Sequence, residues 1–226
     1  MSKNKIFLFF GPPGSGKGSL SSLCVEHFGW QHVSTGDLCR EQIKLGTDIG
    51  KQIKSLTEQG LFVSDELIAD MLAQWMMNQK ELSQDIIIDG YPRTKKQADI
   101  LNELMRTRLP DFDLVLVKLN IDAELLADRI VHRVSCSNKK CGQIYSTSQA
   151  SQSRPGIDMK CDKCNSVLVK RSDDTLESLK ARLQEYYKHE QDVLSFYIDK
   201  GMTIETLSSE QSVQHVFEDF KKIVRQ

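Results

Sequence analysis

The chain has almost no net charge and no long apolar run. Its 30 lysines and arginines stand against 31 acidic residues, a formal −1 at pH 7, so overall charge gives no reason to expect a nucleic-acid partner. The longest apolar run near the N-terminus, Ile6–Phe10, is too short for a signal-peptide core or a membrane span. No internal repeat appears. The chain is therefore expected in the cytoplasm, without membrane attachment. Six cysteines in a reducing compartment are not expected to form three disulfides. What is present is 226 residues, 39% hydrophobic and 27% charged. That describes a globular protein with a sizeable core, or a core carrying a small insertion.

The segments alternate in type. Ile6–Phe10, Ile86–Ile88 and Leu114–Val117 are continuous apolar runs, the signature of parallel strands buried on both faces. His32-Val33 and Met202–Leu207 are weaker strand candidates. Helical periods occupy Lys17–His27, Asp37–Leu45, Ile49–Gln59, Asp65–Asn78, Lys95–Thr107, Ala123–Val134, Thr175–Lys200 and Val213–Val224. Alternating strands and helices predict an α/β fold, a doubly wound parallel sheet of five strands. Residues 134–171 break the pattern. They have no helical period, are rich in Ser, Gln, Asn, Lys and Gly, and hold four of the six cysteines. A structureless loop of that length is unusual, so something besides a hydrophobic core is expected to organise it.

Gly11-Pro12-Pro13-Gly14-Ser15-Gly16-Lys17-Gly18-Ser19 is a phosphate-loop pattern between a buried strand and a helix. Glycines let backbone N–H groups close around phosphate oxygens, and the helix N-terminus adds positive potential. Lys17 is placed to reach the terminal phosphates, with the Ser19 hydroxyl near a magnesium ion. The loop points to a nucleoside triphosphate but leaves ATPase, GTPase and small-molecule kinase open. Asp89, ending the Ile86–Ile88 strand, is read as an acid organising magnesium-bound water.

Several arginines fall at element ends, where planar guanidinium groups can grip phosphate. Arg40 lies in a helix opened by Thr35-Gly36-Asp37, and Arg93 follows the Asp89-Gly90-Tyr91-Pro92 turn. Arg129 and Arg133 are read as an i, i+4 pair on one helix face. Arg171 precedes Ser172-Asp173-Asp174, and Arg182 lies in the long helix beyond.

Cys136-x4-Cys141 and Cys161-x2-Cys164 have the form of two knuckles, whose four thiolates suit tetrahedral zinc. Iron would also satisfy four thiolates, and two disulfides, a redox switch and a nucleic-acid-binding ribbon compete as readings. Cys24 and Cys39 fall within helical periods and are read as buried fillers.

Taken together, Gly11–Ser19, Ser34–Asp37 with Arg40, Gly60–Val63, Asp89–Thr94 with Gln97, Asp128-Arg129 with Arg133, and Lys170–Asp174 with Arg182 resemble the adenylate kinases of the long-lid bacterial type. The resemblance implies reversible phosphoryl transfer between ATP and AMP giving two ADP, with magnesium on the triphosphate, a role in nucleotide homeostasis, and a monomer. It implies a core of residues 1–33, 64–131 and 175–226, an AMP-binding segment at 34–63, and a zinc-bearing lid at 132–174. ATP would meet Gly14, Ser15, Gly16, Lys17, Gly18, Ser19, Arg129, Arg133, Ile144, Tyr145 and Gln211. AMP would meet Thr35, Arg40, Leu61, Phe62, Val63, Gly90, Tyr91, Pro92, Arg93, Gln97, Arg171 and Arg182. Lys17, Asp89, Arg93, Arg129, Arg133, Arg171 and Arg182 would serve the transfer itself, and Cys136, Cys141, Cys161 and Cys164 the metal. The chain departs from the family in Ser19-Leu20 for Thr-Gln, in Leu61, in Tyr91 for Phe, and in Ser208-Ser209 where Asp-Gly is usual. A kinase for UMP, CMP or GMP is the nearest alternative, and a zinc-ribbon ATPase acting with nucleic acid a distant one.

Overall fold

A computed structural model describes residues 3–59, 63–78, 84–138, 141–149 and 151–225. Five strands, β1 (Asn4–Phe10), β2 (Gln31–Ser34), β3 (Ile86–Asp89), β4 (Phe112–Asn120) and β8 (Ile204–Ser208), form one sheet in the order β2-β3-β1-β4-β8. Every pairing in it is parallel, which is the doubly wound α/β architecture. The helices are α1 (Lys17–Phe28), α2 (Thr35–Leu45), α3 (Asp48–Glu58), α4 (Asp65–Met77), α5 (Lys95–Arg108), α6 (Ala123–Val131), α7 (Leu176–Ile198) and α8 (Val213–Val224). No helix among the described residues is long and apolar enough to cross a membrane.

The strands are apolar on both faces because helices cover both. Ile6, Leu8 and Phe10 join one buried cluster with Leu72, Leu101 and Tyr197, from α4, α5 and α7. The alternate residues Phe7 and Phe9 join a second cluster with Leu20, Phe217 and Phe220, from α1 and α8. The period-2 alternation of a strand thus divides one five-residue run between two cores.

Seven of these eight helices begin with a side-chain cap: Ser34, Thr47, Ser64, Thr94, Asp122, Thr175 and Ser212 each accept a backbone N–H from the first turn. The exception is α1, whose N-cap is Gly16 in the left-handed region with no side-chain cap. Its first N–H groups are left to face the crevice.

Two expectations are corrected. The helical period read to Val134 ends at Val131, and Arg133 lies in a strand, β5 (Arg133–Cys136). Arg129 and Arg133 are therefore not an i, i+4 helical pair. The reason is packing: Val134 continues the apolar spacing from Ile130, yet it packs with Cys136, Tyr145, Cys161 and Leu168 in a third cluster apart from the core. Second, the segment expected to lack apolar organisation has that small cluster and its own antiparallel sheet. In it β5 lies between β6 (Ile144–Ser146) and β7 (Leu168–Val169).

Candidate active site

The carboxyl ends of the parallel strands open into a crevice of about 1580 Å³, large for a single small-molecule pocket. Its walls include the loop after β1, the start of α2, the turn after β3, the β5–β6 hairpin, and the segments around Arg171 and Arg182.

The loop after β1 has the backbone its glycines permit. Gly11 has φ 143°, and a Cβ there would lie 2.7 Å from Ser15 Oγ and 2.8 Å from the Leu119 carbonyl oxygen, so no other residue fits. Lys17 Nζ donates to the carbonyl oxygens of Gly11 (2.7 Å) and Pro12 (3.1 Å). Burial lowers its pKa to about 8, with Asp89 opposing and Arg93, Arg133 and Arg182 reinforcing. The groups that act on Lys17 are the ones the sequence scattered over some 165 positions between Lys17 and Arg182. Gly14, Ser15, Gly16, Gly18 and Ser19 line the same wall.

The turn after β3 fixes Arg93. The Gly90 carbonyl oxygen accepts from Arg93 Nε (2.7 Å) and from Thr35 Oγ1 (2.9 Å). Gly90 has φ 79°, and a Cβ on it would stand 2.9 Å from Arg93 Nη2. Arg93 is open to solvent through the crevice but walled by protein, and burial lowers its pKa despite Asp89. Arg40 is paired with Asp37 (Nη2 to Oδ1 2.6 Å). For Asp37, burial works upward, and the Arg40 guanidinium overrides it to hold the carboxyl below its usual range. Arg171 is brought down to about 10 by burial and then by its neighbours Arg40 and Arg133. Burial likewise lowers Arg129 and Arg182. A group of mutually repelling guanidiniums around one space is suited to polyanions.

Gln97 is buried at 2% exposure. Its Oε1 accepts from the Arg93 N–H (2.7 Å), and its Nε2 donates to Asp65 Oδ1 (2.8 Å). A carboxamide has two N–H donors and two acceptor lone pairs, so these partners use one of each. Val63, Tyr91 and Pro92 also line the crevice, whereas Leu61 and Phe62 lie outside the described residues. Ile144 faces the phosphate loop, its Cδ1 3.4 Å from the position of a Cβ on Gly18. Tyr145 lines the crevice, but its hydroxyl is engaged inside the lid, near Cys161 Sγ (3.4 Å) and accepting the Asp162 N–H (2.9 Å). Gln211 turns its amide to Asp219 Oδ2 (2.9 Å).

The sequence reading gave four residues no role. Asp174, fully buried, binds Arg133 through Nε (2.8 Å) and a shorter Nη2 contact. Asp173 binds Arg182 Nη1 (3.1 Å). These two acids hold two cations at the junction of lid and core. Ser209 donates its N–H and hydroxyl to the Asn120 carbonyl oxygen (2.8 and 3.0 Å), and its own carbonyl accepts Arg129 Nη2 (2.7 Å). The unusual Ser208-Ser209 turn is thereby tied to β4 and α6. Asp65, which reads in sequence only as a helix start, contacts Gln97 from 32 positions away.

The four lid sulfurs lie within 4.8 Å of one another, with Cys136–Cys164 at 3.3 Å and Cys141–Cys161 at 3.6 Å. A tetrahedron of thiolates about 2.3 Å from a central zinc has edges of roughly 3.8 Å, so the set fits one ion. The residues after each knuckle adopt the left-handed conformation, Gly142 at φ 61° and Asn165 at φ 57°. The Ser166 hydroxyl and backbone N–H hold the Cys164 thiol low, whereas burial pushes the Cys136 and Cys141 thiols up, so a metal binding here must displace protons from the latter two. Burial pushes the Cys24 and Cys39 thiols up, as fits inert fillers.

A family model described as adenylate kinase matches residues 9–202. The adenylate kinase of Thermoanaerobacter sp. (strain X514) is 35% identical over 215 residues, 95% of each chain. That of Methanosarcina acetivorans is 34% identical over 217 residues, 96% of this chain and 97% of the relative. That of Clostridium botulinum (strain Eklund 17B) is 34% identical over 220 residues, 97% and 98%.

Proposed function

The chain belongs to the adenylate kinase family, and from that premise we propose which of its residues do each part of the work. The reaction is reversible phosphoryl transfer between ATP and AMP, giving two ADP. What supports the assignment of residues is the gathering of Asp89, Arg93, Arg133 and Arg182 about Lys17 in one crevice.

Phosphoryl transfer needs two anions held in line and the charge of the moving group neutralised. The uncapped N-terminus of α1 and the loop Gly14–Ser19 take the donor phosphates, with Lys17 on the terminal ones. Arg129, Arg133, Ile144, Tyr145 and Gln211 border the ATP side. Since the Tyr145 hydroxyl and the Gln211 amide are engaged within the protein, ring and backbone are what these two have to offer the adenine. Thr35, Arg40, Val63, Gly90–Arg93 and Gln97 border AMP, and the family resemblance adds Leu61 and Phe62 to that set. Arg93, Arg171 and Arg182 span the gap between the two nucleotides.

Magnesium, which adenylate kinases use with ATP, would be held near Ser19 and Asp89 and would neutralise phosphate charge as a Lewis acid. No side chain is needed as a general base, because the AMP phosphate is already ionised. Segments 34–63 and 132–174 close over the nucleotides and exclude water, the competing acceptor. Zinc on the four lid cysteines has a structural part only: all four positions are sulfur, leaving none open for chemistry. We further infer a monomer, as the family resemblance implies, and a cytoplasmic location, as the composition and short apolar runs led us to expect.

The deciding experiment is steady-state ADP formation with AMP varied against UMP, CMP and GMP. The reading requires AMP to have the highest kcat/KM. Faster turnover of another monophosphate would reassign the acceptor, and hydrolysis stimulated by RNA or DNA without ADP from AMP would replace the reading. Metal analysis of the same preparation should find about one zinc per chain, and a value below about half would remove zinc from the lid.

A further inference from the structure

An amide that reads a base has a weakness: turned over by 180°, it keeps its shape and exchanges its donor for its acceptor. In AMP, position 6 of the base carries a donor amino group beside the bare acceptor N1. In IMP, position 6 is an acceptor oxygen and N1 carries a proton. A glutamine free to turn would satisfy either. The structure assigns to Asp65 the task of preventing that turn: its carboxylate is a positioning group that fixes the orientation of the Gln97 amide, and so lets the site read adenine and refuse 6-oxopurines. The inference rests on the reading that Gln97 faces the AMP base.

Three observations carry it. Asp65 Oδ1 stands 2.8 Å from Gln97 Nε2, and an ionised carboxylate only accepts. On the other side, the Arg93 backbone N–H donates to Gln97 Oε1 at 2.7 Å. Turned over, the amide would set oxygen against carboxylate and N–H against N–H at those distances, making both contacts repulsive. Finally, Asp65 is itself anchored. Its Oδ2 accepts from Thr94 Oγ1 (3.0 Å), and the same Thr94 oxygen accepts the Gln97 backbone N–H (3.1 Å). Thr94, Asp65 and Gln97 form a closed ring of hydrogen bonds that tolerates one orientation of the amide. The second N–H and second lone pair of Gln97 are then presented with a fixed hand.

The test is kcat/KM for AMP and for IMP, at saturating ATP, in the wild type, Asp65→Asn, Asp65→Ala and Gln97→Ala. A carboxamide in place of the Asp65 carboxylate can accept from the Gln97 amide nitrogen or donate to its turned carbonyl. Asp65→Asn should therefore lower the AMP-to-IMP ratio about tenfold, the size of one good polar discrimination. The change should appear in the KM of the monophosphate and not of ATP. Asp65→Ala removes the acceptor without supplying a donor, and its ratio should fall less. Both variants lose the same charge from the first turn of α4, a loss of fold stability that acts on both substrates alike. A ratio in Asp65→Asn within about twofold of wild type, or parallel losses for AMP and IMP, would overturn the proposal. If Asp65→Asn does not fold, the same criterion applied to Asp65→Ala decides. Gln97→Ala separates the two layers. An unchanged KM for AMP there would refute the base-contact reading itself, whereas a raised KM together with an unmoved ratio at position 65 would refute the lock alone.

Discussion

Lys17 donates to two carbonyls of its own loop, and phosphate oxygens are stronger acceptors because they carry charge. Its pKa in the protein, about 8, is below the usual lysine range. Well below pH 8 the ammonium is already charged, and binding takes up no proton. Between about pH 8 and the ordinary lysine pKa of about 10.4, the free protein holds the neutral amine and bound polyphosphate restores the charge. ATP binding should therefore take up more than half a proton at about pH 8.5 and nearly none at about pH 6.5. Calorimetry in buffers of differing ionisation enthalpy reads this directly. Arg93 is a second test. Arg93→Ala should slow turnover by about three orders of magnitude or more, as removal of a transition-state cation does in phosphoryl transfer, with an unchanged circular dichroism spectrum. Sequence motifs identified both residues because their chemistry is local. Asp65 stayed hidden, and Asp174 was named in a motif without its partner, because an acid at a helix start or in a polar loop carries no mark of a partner 30 or 40 positions away.

At the scale of elements, the long strands and helices were legible because apolar periodicity is strong over many residues. Ile86–Ile88 and Leu114–Val117 lie inside β3 and β4. The lid strands were not. They span two to four residues, and a cluster shared between apolar side chains and sulfur organises them. The overrun of α6 has the same origin, since Val134 keeps helical spacing while serving another core. Arg133 and Asp174 join these parts, with side-chain exposures of 16% and 0%. Removing one partner of a buried pair strands the other charge, so Asp174→Ala should cost about 3 kcal/mol or more in urea denaturation. Asp113→Ala, at an exposed pair with Lys3, should cost under about 1 kcal/mol. Cys164→Ser should lower metal content and open residues 133–169 to protease while the sheet and its helices stay resistant. Equal loss of protection throughout the chain would refute a separate lid.

Across the whole molecule, the near-zero charge hides a division. Residues 132–171 hold eight lysines and arginines and two aspartates, so this stretch is +6 and the remainder −7; four thiolates and one Zn²⁺ would bring the stretch to about +4, still basic. A basic flap facing an acidic body would attract polyanions into the crevice and would itself be drawn down. One contact of that kind is visible: Lys163, between the second pair of cysteines, bonds Glu26 of α1 at 2.8 Å. Both side chains are about half exposed, so the pair contributes roughly 0.2–1 kcal/mol. Glu26→Gln should lower the ratio of closed to open lid by about two- to fivefold at most. Energy transfer between labels on lid and α1 would report it, and the difference should vanish in about 1 M salt.

The three buried clusters share no residue, and their sizes are unequal. Two are extensive and lie on either face of the sheet, while the third is Val134, Cys136, Tyr145, Cys161 and Leu168 with two further thiols against it. Such a body does not lose its structure in one step on warming. The smallest cluster is expected to melt first, and with it the cover that we propose keeps water from the phosphoryl group. Activity is therefore expected to fail on warming some degrees below the unfolding of the sheet, with the gap widened by a chelator, and activity and circular dichroism melts of the same preparation would measure it.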